Sequence, residues 1–240
     1  MISMMRWGLD LIYPRDCMAC AQRIVDNANE CLCPSCRAVL PRIEPQDQCA
    51  RCGNPLGPYA EGRRACSSCG GRSGFYFRGA AAVCRYEGTA RELVHHLKYG
   101  RDLRAAIPMA EAMSRCLTQA DWFCEIDALV PVPLHWTRHL SRRFNQSEVL
   151  AQKIARHCGK PVIGGALRRS RRTESQTRLV GVQRAENVRG GFRMITKKSV
   201  QGKTLLLIDD VMSTCATARE CSRTLTKAGA KKIYVAVYAR

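Results

Sequence analysis

The chain has 240 residues, of which 46% are hydrophobic and 25% are charged, and its formal net charge is +19. This length and hydrophobic fraction favour a soluble globular protein with one sizeable core and a small appendage. The positive charge is concentrated in residues 138–193, which hold 14 Lys/Arg against three acids. A concentration of this kind favours a polyanionic partner.

The first fifteen residues, MISMMRWGLDLIYPR, predict a short packing helix rather than a targeting signal. Arg6 and Asp10 interrupt the apolar positions, so no continuous run approaches the length of a membrane span. We therefore expect a cytoplasmic protein without membrane insertion.

Cysteine pairs dominate the next segment. Nine of the 15 cysteines fall between residues 17 and 69, and eight of these form four C-x-x-C pairs. A C-x-x-C turn directs two thiolates to one point, and two such turns complete a tetrahedral zinc shell. Twelve residues separate the first two pairs and thirteen the last two, which suits two successive zinc ribbons, although an interleaved pairing also satisfies the count. The predicted ligands are Cys17, Cys20, Cys33, Cys36, Cys49, Cys52, Cys66 and Cys69.

Both predicted zinc ions are structural, because a complete set of thiolates leaves no open coordination position. A disulfide framework is disfavoured, since the segment lacks a secretory signal and cysteines such as Cys84 and Cys158 lie in apolar or helical settings. Cysteine pairs stop and periodic segments begin after Gly74. We therefore predict two domains, a double zinc ribbon with a short N-terminal helix at 1–74 and a second domain at 75–240.

Strands and helices alternate through the second domain. Apolar runs and turn signals predict strands at 79–88, 126–133, 204–209 and 231–239, and helices at 89–100, 103–120, 145–159 and 216–229. This alternation predicts an α/β fold, a mainly parallel sheet with helices on both faces.

A pair of acids, Asp209 and Asp210, follows the buried strand TLLLI. In a parallel sheet the ligand site lies at the carboxyl ends of the strands. The next turn, Val211 to Thr217, offers backbone N–H groups and three hydroxyls just before a helix, which is a suitable cradle for phosphate. Acids beside a phosphate need another ligand, such as sugar hydroxyls or Mg²⁺. The pattern therefore predicts a phosphorylated ribose.

These residues resemble a known family. LLLIDDVMSTCAT is similar to the phosphoribosyl-pyrophosphate signature of type I phosphoribosyltransferases. HHLKYGRDL (95–103), VPVPLHWTRHLSRRFNQSEVLA (130–151) and RRSRRTESQTRLVGVQRAENVRGGF (168–192) resemble segments of the ComF/GntX group, which also carries an N-terminal double zinc ribbon. The likeness covers nearly the whole chain, in the same order.

The resemblance implies a phosphoribosyltransferase type I-like fold and a site for phosphoribosyl pyrophosphate with magnesium. Asp209 and Asp210 would hold the ribose hydroxyls. The loop at Pro133 and Leu134 would lie beside the pyrophosphate, with Arg143, Asn145 and Gln146 at the same mouth. The 5-phosphate would lie in the turn formed by Ser213, Thr214, Cys215, Ala216 and Thr217.

Residues 168–190 correspond to the hood that covers the substrate in this fold. Its arginines fit either a solvated loop or contacts with an anion. The hood and nucleic-acid candidates are Arg168, Arg169, Arg171, Arg172, Gln176 and Arg184.

Two functions remain open at this point. One is a ComF-like protein that binds phosphoribosyl pyrophosphate and single-stranded DNA and acts in natural transformation, with DNA-processing proteins such as a helicase as partners. The basic segment favours it, because one small ligand needs only a few cations. The alternative is a phosphoribosyltransferase, or a GntX-like metabolic protein, that transfers phosphoribosyl to an unknown acceptor and releases pyrophosphate.

Cys215 departs from the family pattern, which has glycine at this position. Glycine allows close approach of the backbone to a phosphate, or a positive φ that a side chain resists. We therefore expect Cys215 to introduce strain on the order of 1 kcal/mol if the turn keeps the family conformation.

Overall fold

The computed structural model describes residues 16–24, 31–57, 66, 69, 74–134, 144–170 and 189–240. A four-stranded, fully parallel sheet forms its centre, with the strand order β1-β6-β5-β2. A separate antiparallel pair joins β3 and β4. The strands are β1 (Gly79–Cys84), β2 (Ala128–Pro131), β3 (Leu167–Arg169), β4 (Phe192–Met194), β5 (Thr204–Val211) and β6 (Lys232–Ala239).

Five α-helices lie in the described ranges. They are α1 (Pro34–Ala38), α2 (Gly88–His95), α3 (Ala106–Thr118), α4 (Gln146–Cys158) and α5 (Ala216–Lys227). A π-helical turn, His96–Gly100, extends α2 to the glycine that ends the predicted helix. None of the helices in these ranges is both long and apolar enough to cross a membrane. The predicted packing helix at 1–15 lies outside the described residues.

The sheet is buried on both faces. Leu206 and Ile208 of β5 pack with α2, α3 and α4, whereas Leu205 and Leu207 of the same strand pack with α5. This burial explains why every residue of β5 from Leu205 to Ile208 is apolar. An alternating pattern would place polar side chains against one of the two layers of helices. The predicted α/β architecture, with helices on both faces of a mainly parallel sheet, is confirmed.

The cysteine-rich segment covers the β1 edge of the sheet. The backbone N–H of Ile43 donates to the carbonyl of Val83 at 2.8 Å, and that of Arg85 donates to the carbonyl of Pro41 at 2.8 Å. A Cβ on Gly79 would lie 3.0 Å from the carbonyl oxygen of Ala50, so this close approach requires glycine. The edge that would otherwise offer unpaired backbone groups is thereby protected.

The two halves of the cysteine-rich segment lie on opposite faces of the sheet. Cys17 and Leu32 pack in the cluster that contains α2, α3 and α4, and Cys49 and Cys52 pack in the cluster that contains α5. The Nε2 atom of His96 lies 2.9 Å from the carbonyl oxygen of Met18, which attaches the first half to the end of α2. The boundary between residues 74 and 75 stays a prediction.

Candidate functional site

The eight predicted zinc ligands gather in two tetrads. Within each tetrad, all the sulfur atoms lie within 4.8 Å of one another. The first pair joins the second and the third joins the fourth, so the arrangement is successive rather than interleaved. The tetrads are Cys17, Cys20, Cys33 and Cys36, and Cys49, Cys52, Cys66 and Cys69.

The sulfur spacing fits tetrahedral zinc. Four thiolates bound at about 2.3 Å around a tetrahedral ion lie about 3.8 Å apart. The Sγ atoms of Cys49 and Cys69 are 3.5 Å apart, those of Cys66 and Cys69 are 3.8 Å apart, and those of Cys20 and Cys33 are 3.7 Å apart. Each tetrad therefore suits one structural zinc ion held by four thiolates.

The same backbone turn forms the first half of each tetrad. The N–H of Ala21 donates to the carbonyl of Cys17 at 2.9 Å, and the N–H of Gly53 donates to the carbonyl of Cys49 at 2.8 Å. The ninth cysteine of the segment, Cys31, belongs to neither tetrad, and its Sγ lies 3.7 Å from the carbonyl oxygen of Arg104. None of the 15 cysteines forms a disulfide.

The acidic pair lies at the carboxyl end of β5, as predicted. Asp209 Oδ1 accepts a hydrogen bond from Ser147 Oγ at 2.9 Å and another from the backbone N–H of Asp210 at 2.9 Å. The ammonium group of Lys98 lies 2.5 Å from Asp210 Oδ2. A cation and two donors therefore hold the two carboxylates in place.

Electrostatics distinguish Asp209 from an ordinary surface acid. Burial and the neighbouring charge of Asp210 raise the pKa of Asp209 to about 7, although Lys98 and the hydrogen bond from Ser147 oppose the rise. Near neutral pH this carboxyl is therefore only partly ionised. A cation or a hydroxyl donor placed beside it would favour the charged form.

The turn after β5 leads directly into α5. Ser213 is exposed, Thr214 and Thr217 are half-buried, and no acid lies in the first turn of α5. A cavity of about 20 Å³ lies here, and it is lined by Asp209, by the turn and by residues of β5 and β6. That volume holds about one water molecule. The helix dipole and the N–H groups at the start of α5 favour an anion at this point.

Cys215 occupies the N-cap position of α5 in the left-handed conformation, with φ +62° and ψ 0°. This is the positive φ anticipated from the replacement of the family glycine. Its side chain is buried and contacts the side chain of Cys52. The turn therefore contacts the second cysteine tetrad through a side chain that glycine lacks.

Arg240 makes a second connection between the turn and that tetrad. Its Nη1 donates to the carbonyl oxygens of Met212 and Ser213 at 2.8 and 3.0 Å, and its Nη2 lies 3.6 Å from Cys52 Sγ. The backbone of the turn and the second zinc site therefore share one guanidinium group.

Other predicted site residues lie in the segments around β2 and α4. Pro133 and Leu134 follow β2 and are half-buried. Asn145 caps α4 by accepting from the N–H of Ser147 at 3.2 Å, and its Nδ2 donates to the carbonyl of Val132 at 3.0 Å. Gln146 is buried, and Arg143 lies outside the described residues.

The hood segment begins in β3 and ends just before β4. Arg168 is exposed, whereas Arg169 is only 6% exposed and its guanidinium lies 5.4 Å from the centre of the Phe192 ring. Glu220 of α5 holds the end of the segment by accepting from the N–H of Gly190 at 2.7 Å. The remaining hood candidates, Arg171, Arg172, Gln176 and Arg184, lie outside the described residues.

Sequence reasoning missed two residues of the site, Lys98 and Ser147. Both fall within the segments HHLKYGRDL and RRFNQSEVLA, but the resemblance of those segments assigns neither residue a role. Ser147 lies in the first turn of α4, where an Asn N-cap two residues earlier indicates a helix start near a strand end. That signal is present in the sequence, whereas the contact of Lys98 with Asp210 depends on the π-helical turn.

Comparisons with known proteins agree with these features. A double zinc ribbon domain model matches residues 8–75. The chain is 27% identical to the DNA utilization protein YhgH of Salmonella typhimurium over 237 residues, which cover 98% of this chain and 91% of that protein. It is 31% identical to Competence protein F of Haemophilus influenzae over 110 residues, 45% of this chain and 48% of that protein. It is 26% identical to Competence protein ComFC of Bacillus subtilis over 203 residues, 84% of this chain and 80% of that protein.

These relatives support the resemblance of the chain to the ComF/GntX family. The zinc-ribbon prediction is confirmed by the match to the double zinc ribbon model and by the two cysteine tetrads. The structure of the chain also resembles a glutamine phosphoribosylpyrophosphate amidotransferase from B. subtilis, with a TM-score of 0.42 and 18% identity over 60% of this chain and 30% of that chain.

The raised pKa of Asp209 predicts a pH-dependent stability. Because the folded state holds this proton more tightly than the unfolded state, the protein should become less stable as pH rises from about 4 to about 7. Asp209→Asn removes this dependence, so the unfolding free energy of the variant, relative to that of the intact protein, should be about 2 kcal/mol more favourable at pH 8 than at pH 5.5. Urea unfolding at both pH values measures it.

Asp121→Asn is the matched control, because it makes the same charge change at an exposed acid in the turn before β2. The difference that it gives between the two pH values is subtracted from that of Asp209→Asn. An equal effect of Asp209→Asn at both pH values would contradict the raised pKa.

The left-handed conformation of Cys215 gives a second prediction. Cys215→Ala and Cys215→Gly both remove the contact with Cys52, but only glycine relieves the positive φ. Cys215→Gly should therefore be more stable than Cys215→Ala by about 1 kcal/mol in urea unfolding. Both variants should retain two zinc ions per chain, because Cys215 is outside the tetrads. Equal stability of the two variants would show that the turn relaxes around a side chain without strain.

Proposed function

We propose that this protein binds phosphoribosyl pyrophosphate with magnesium, binds single-stranded DNA, and acts in the cytoplasm in DNA uptake during natural transformation. The single observation that carries the small-ligand part is the acidic pair at the end of β5, placed directly before the turn that opens α5. The names of its relatives, a DNA utilization protein and two competence proteins, support the DNA part. A helicase or another DNA-processing protein stays a predicted partner.

Different residues of the site would bind different parts of the proposed ligand. Asp209 and Asp210 would accept hydrogen bonds from the ribose hydroxyls, while the N–H groups of Ser213 to Thr217 would donate to the 5-phosphate. A ribose phosphate is larger than the 20 Å³ cavity, so it would lie across its mouth, beside Pro133 and Leu134. Lys98, which is ion-paired with Asp210, would add a positive charge on that side.

Magnesium fits the donor set of this site. Two adjacent carboxylates are hard oxygen ligands, and the raised pKa of Asp209 marks a place where added positive charge is favourable. Bound with the ligand, the ion would neutralise pyrophosphate charge near the acids. Asp209 and Asp210 are the residues that would face it.

Binding of the small ligand is measured by thermal unfolding. At a hundredfold excess over Kd, phosphoribosyl pyrophosphate with Mg²⁺ should raise the Tm of the intact protein by about 5 °C. The double variant Asp209→Asn, Asp210→Asn should abolish the shift, because it keeps the shape of the site but removes both charges. The control variant Asp121→Asn should keep the ligand-induced rise in Tm. The absence of a shift in the intact protein would refute this part of the proposed function.

The antiparallel β3–β4 pair favours an anionic partner. Arg168 and Arg193 are exposed and lie directly opposite each other in its register. Like charges on opposite strands destabilise such a pair unless an anion lies between them. Single-stranded DNA provides phosphates at regular spacing, and its affinity for basic surfaces falls as salt rises.

Fluorescence anisotropy with a labelled oligo(dT) of about 20 nucleotides tests the DNA part. The intact protein should bind at low salt, and log K should fall linearly with log salt concentration. The double variant Arg168→Ala, Arg193→Ala should make that slope shallower by about 1.4, because each arginine that no longer neutralises a phosphate reduces it by about 0.7. The double variant Arg85→Ala, Arg91→Ala, which removes two exposed arginines near the start of α2, should leave it unchanged. Negligible binding at low salt would refute single-stranded DNA as a partner.

A further inference from the structure

An open groove of about 600 Å³ lies at the end of the sheet opposite to the acidic pair. The segment before β1 forms one wall, and the end of α5 with the start of β6 forms the other. Arg51 of the second ribbon closes the groove on a third side. Its volume is typical of ligand sites, and its lining shares no residue with the cavity beside Asp209.

Aromatic side chains line the wall before β1. The rings of Phe75 and Phe77 pack edge to face, with centroids 5.2 Å apart, and Phe77 is buried. Tyr76 lies between them in the chain, and its side chain is 45% exposed to solvent. The two phenylalanines therefore anchor the segment and leave one aromatic ring for an external partner.

Two arginines fix this segment in position. The guanidinium of Arg51 lies 4.6 Å from the centre of the Phe75 ring, and that of Arg219 lies 5.1 Å from it. Arg219 Nε also donates to the carbonyl of Gly74 at 3.0 Å. A Cβ on Gly74, which has φ +82°, would lie 2.7 Å from Arg219 Nη2, so glycine lets α5 hold the segment this closely. The position of Tyr76 is thus determined by the second ribbon and α5 together.

Basic side chains line the same groove as the exposed ring. Arg78 and Lys231 are exposed in the groove, and Lys232 beside them is ion-paired with Glu125. Lys227, in the last turn of α5, adds to the basic surface. An exposed aromatic ring and cations in the same groove match the combination of base stacking and phosphate attraction that single-stranded nucleic acids require.

We propose that this groove is a contact site for single-stranded DNA, with Tyr76 stacking on a base and Arg78 and Lys231 contacting the adjacent phosphates. The proposal rests on the proposed function in its DNA part and adds a second surface to it, separate from the β3–β4 pair. The partner has negative charge at regular spacing and flat unpaired bases. A duplex offers the charge without the bases.

Anisotropy with the same labelled oligo(dT) distinguishes the two contributions. Tyr76→Ala should weaken binding about tenfold without changing the salt slope, because stacking releases no counterions. Tyr76→Phe should bind like the intact protein, since stacking needs the ring and not the hydroxyl. Arg78→Ala should make the slope shallower by about 0.7. A duplex of equal length should show no dependence on Tyr76.

The other end of β1 provides matched controls. Arg85 and Tyr86 are exposed and follow this strand, as Tyr76 and Arg78 precede it, so Tyr86→Ala and Arg85→Ala make the same chemical changes elsewhere. Both should bind oligo(dT) like the intact protein, and unchanged Tm and zinc content in all variants exclude a folding defect. If the intact protein binds and Tyr76→Ala binds equally well, the groove is not a DNA site while the proposed function stands. If the intact protein does not bind, DNA binding itself fails.

Discussion

The contact between the second cysteine tetrad and the turn after β5 is the interaction on which the rest of the structure depends. Cys52 belongs to the tetrad and contacts both Cys215 and Arg240, while Arg240 also donates to the carbonyls of Met212 and Ser213 in the turn. A zinc ribbon alone has too little core to be stable without its metal. Here its metal site lies against the sheet, so the order imposed by zinc extends to the turn proposed to bind phosphate.

This contact gives a physical account of Cys215. A left-handed residue with a side chain is strained, and such strain persists only where the surroundings hold it in place. The buried thiol of Cys215 meets Cys52, and the carbonyls just before it in the chain are held by Arg240. The replacement of glycine in the turn is therefore accompanied by a link to the ribbon. The conformation that the family sequence obtains from glycine is here maintained by packing.

Local patterns in the sequence predict most of the fold, because each depends on neighbouring residues. The run TLLLI, the four C-x-x-C pairs and the acids at a strand end all lie where expected. The strands β3 and β4 escape prediction, since three residues with exposed arginines carry too little apolar periodicity. The contacts of Ser147 with Asp209 and of Lys98 with Asp210 join residues far apart in the chain and depend on the packing of whole helices. The positive φ of Cys215 can be predicted from the sequence, because the family has glycine at this position. Its contact with Cys52 cannot be predicted in this way, because it depends on the tertiary packing that places the ribbon beside the turn.

The second ribbon contacts both the turn after β5 and the groove at the opposite end of the sheet. Cys52 meets the turn at the carboxyl ends of β5 and β6, whereas Arg51, the preceding residue, lies over Phe75 in the groove near their opposite ends. Helix α5 runs alongside, because its first residues follow the turn and its last residues line the groove. A ribbon held by four thiolates is rigid enough to fix both neighbours at once. The two proposed binding surfaces share one metal-stabilised module and one helix, so their separation stays constant. A flexible polyanion could then contact the groove while the proposed small-ligand site remains open.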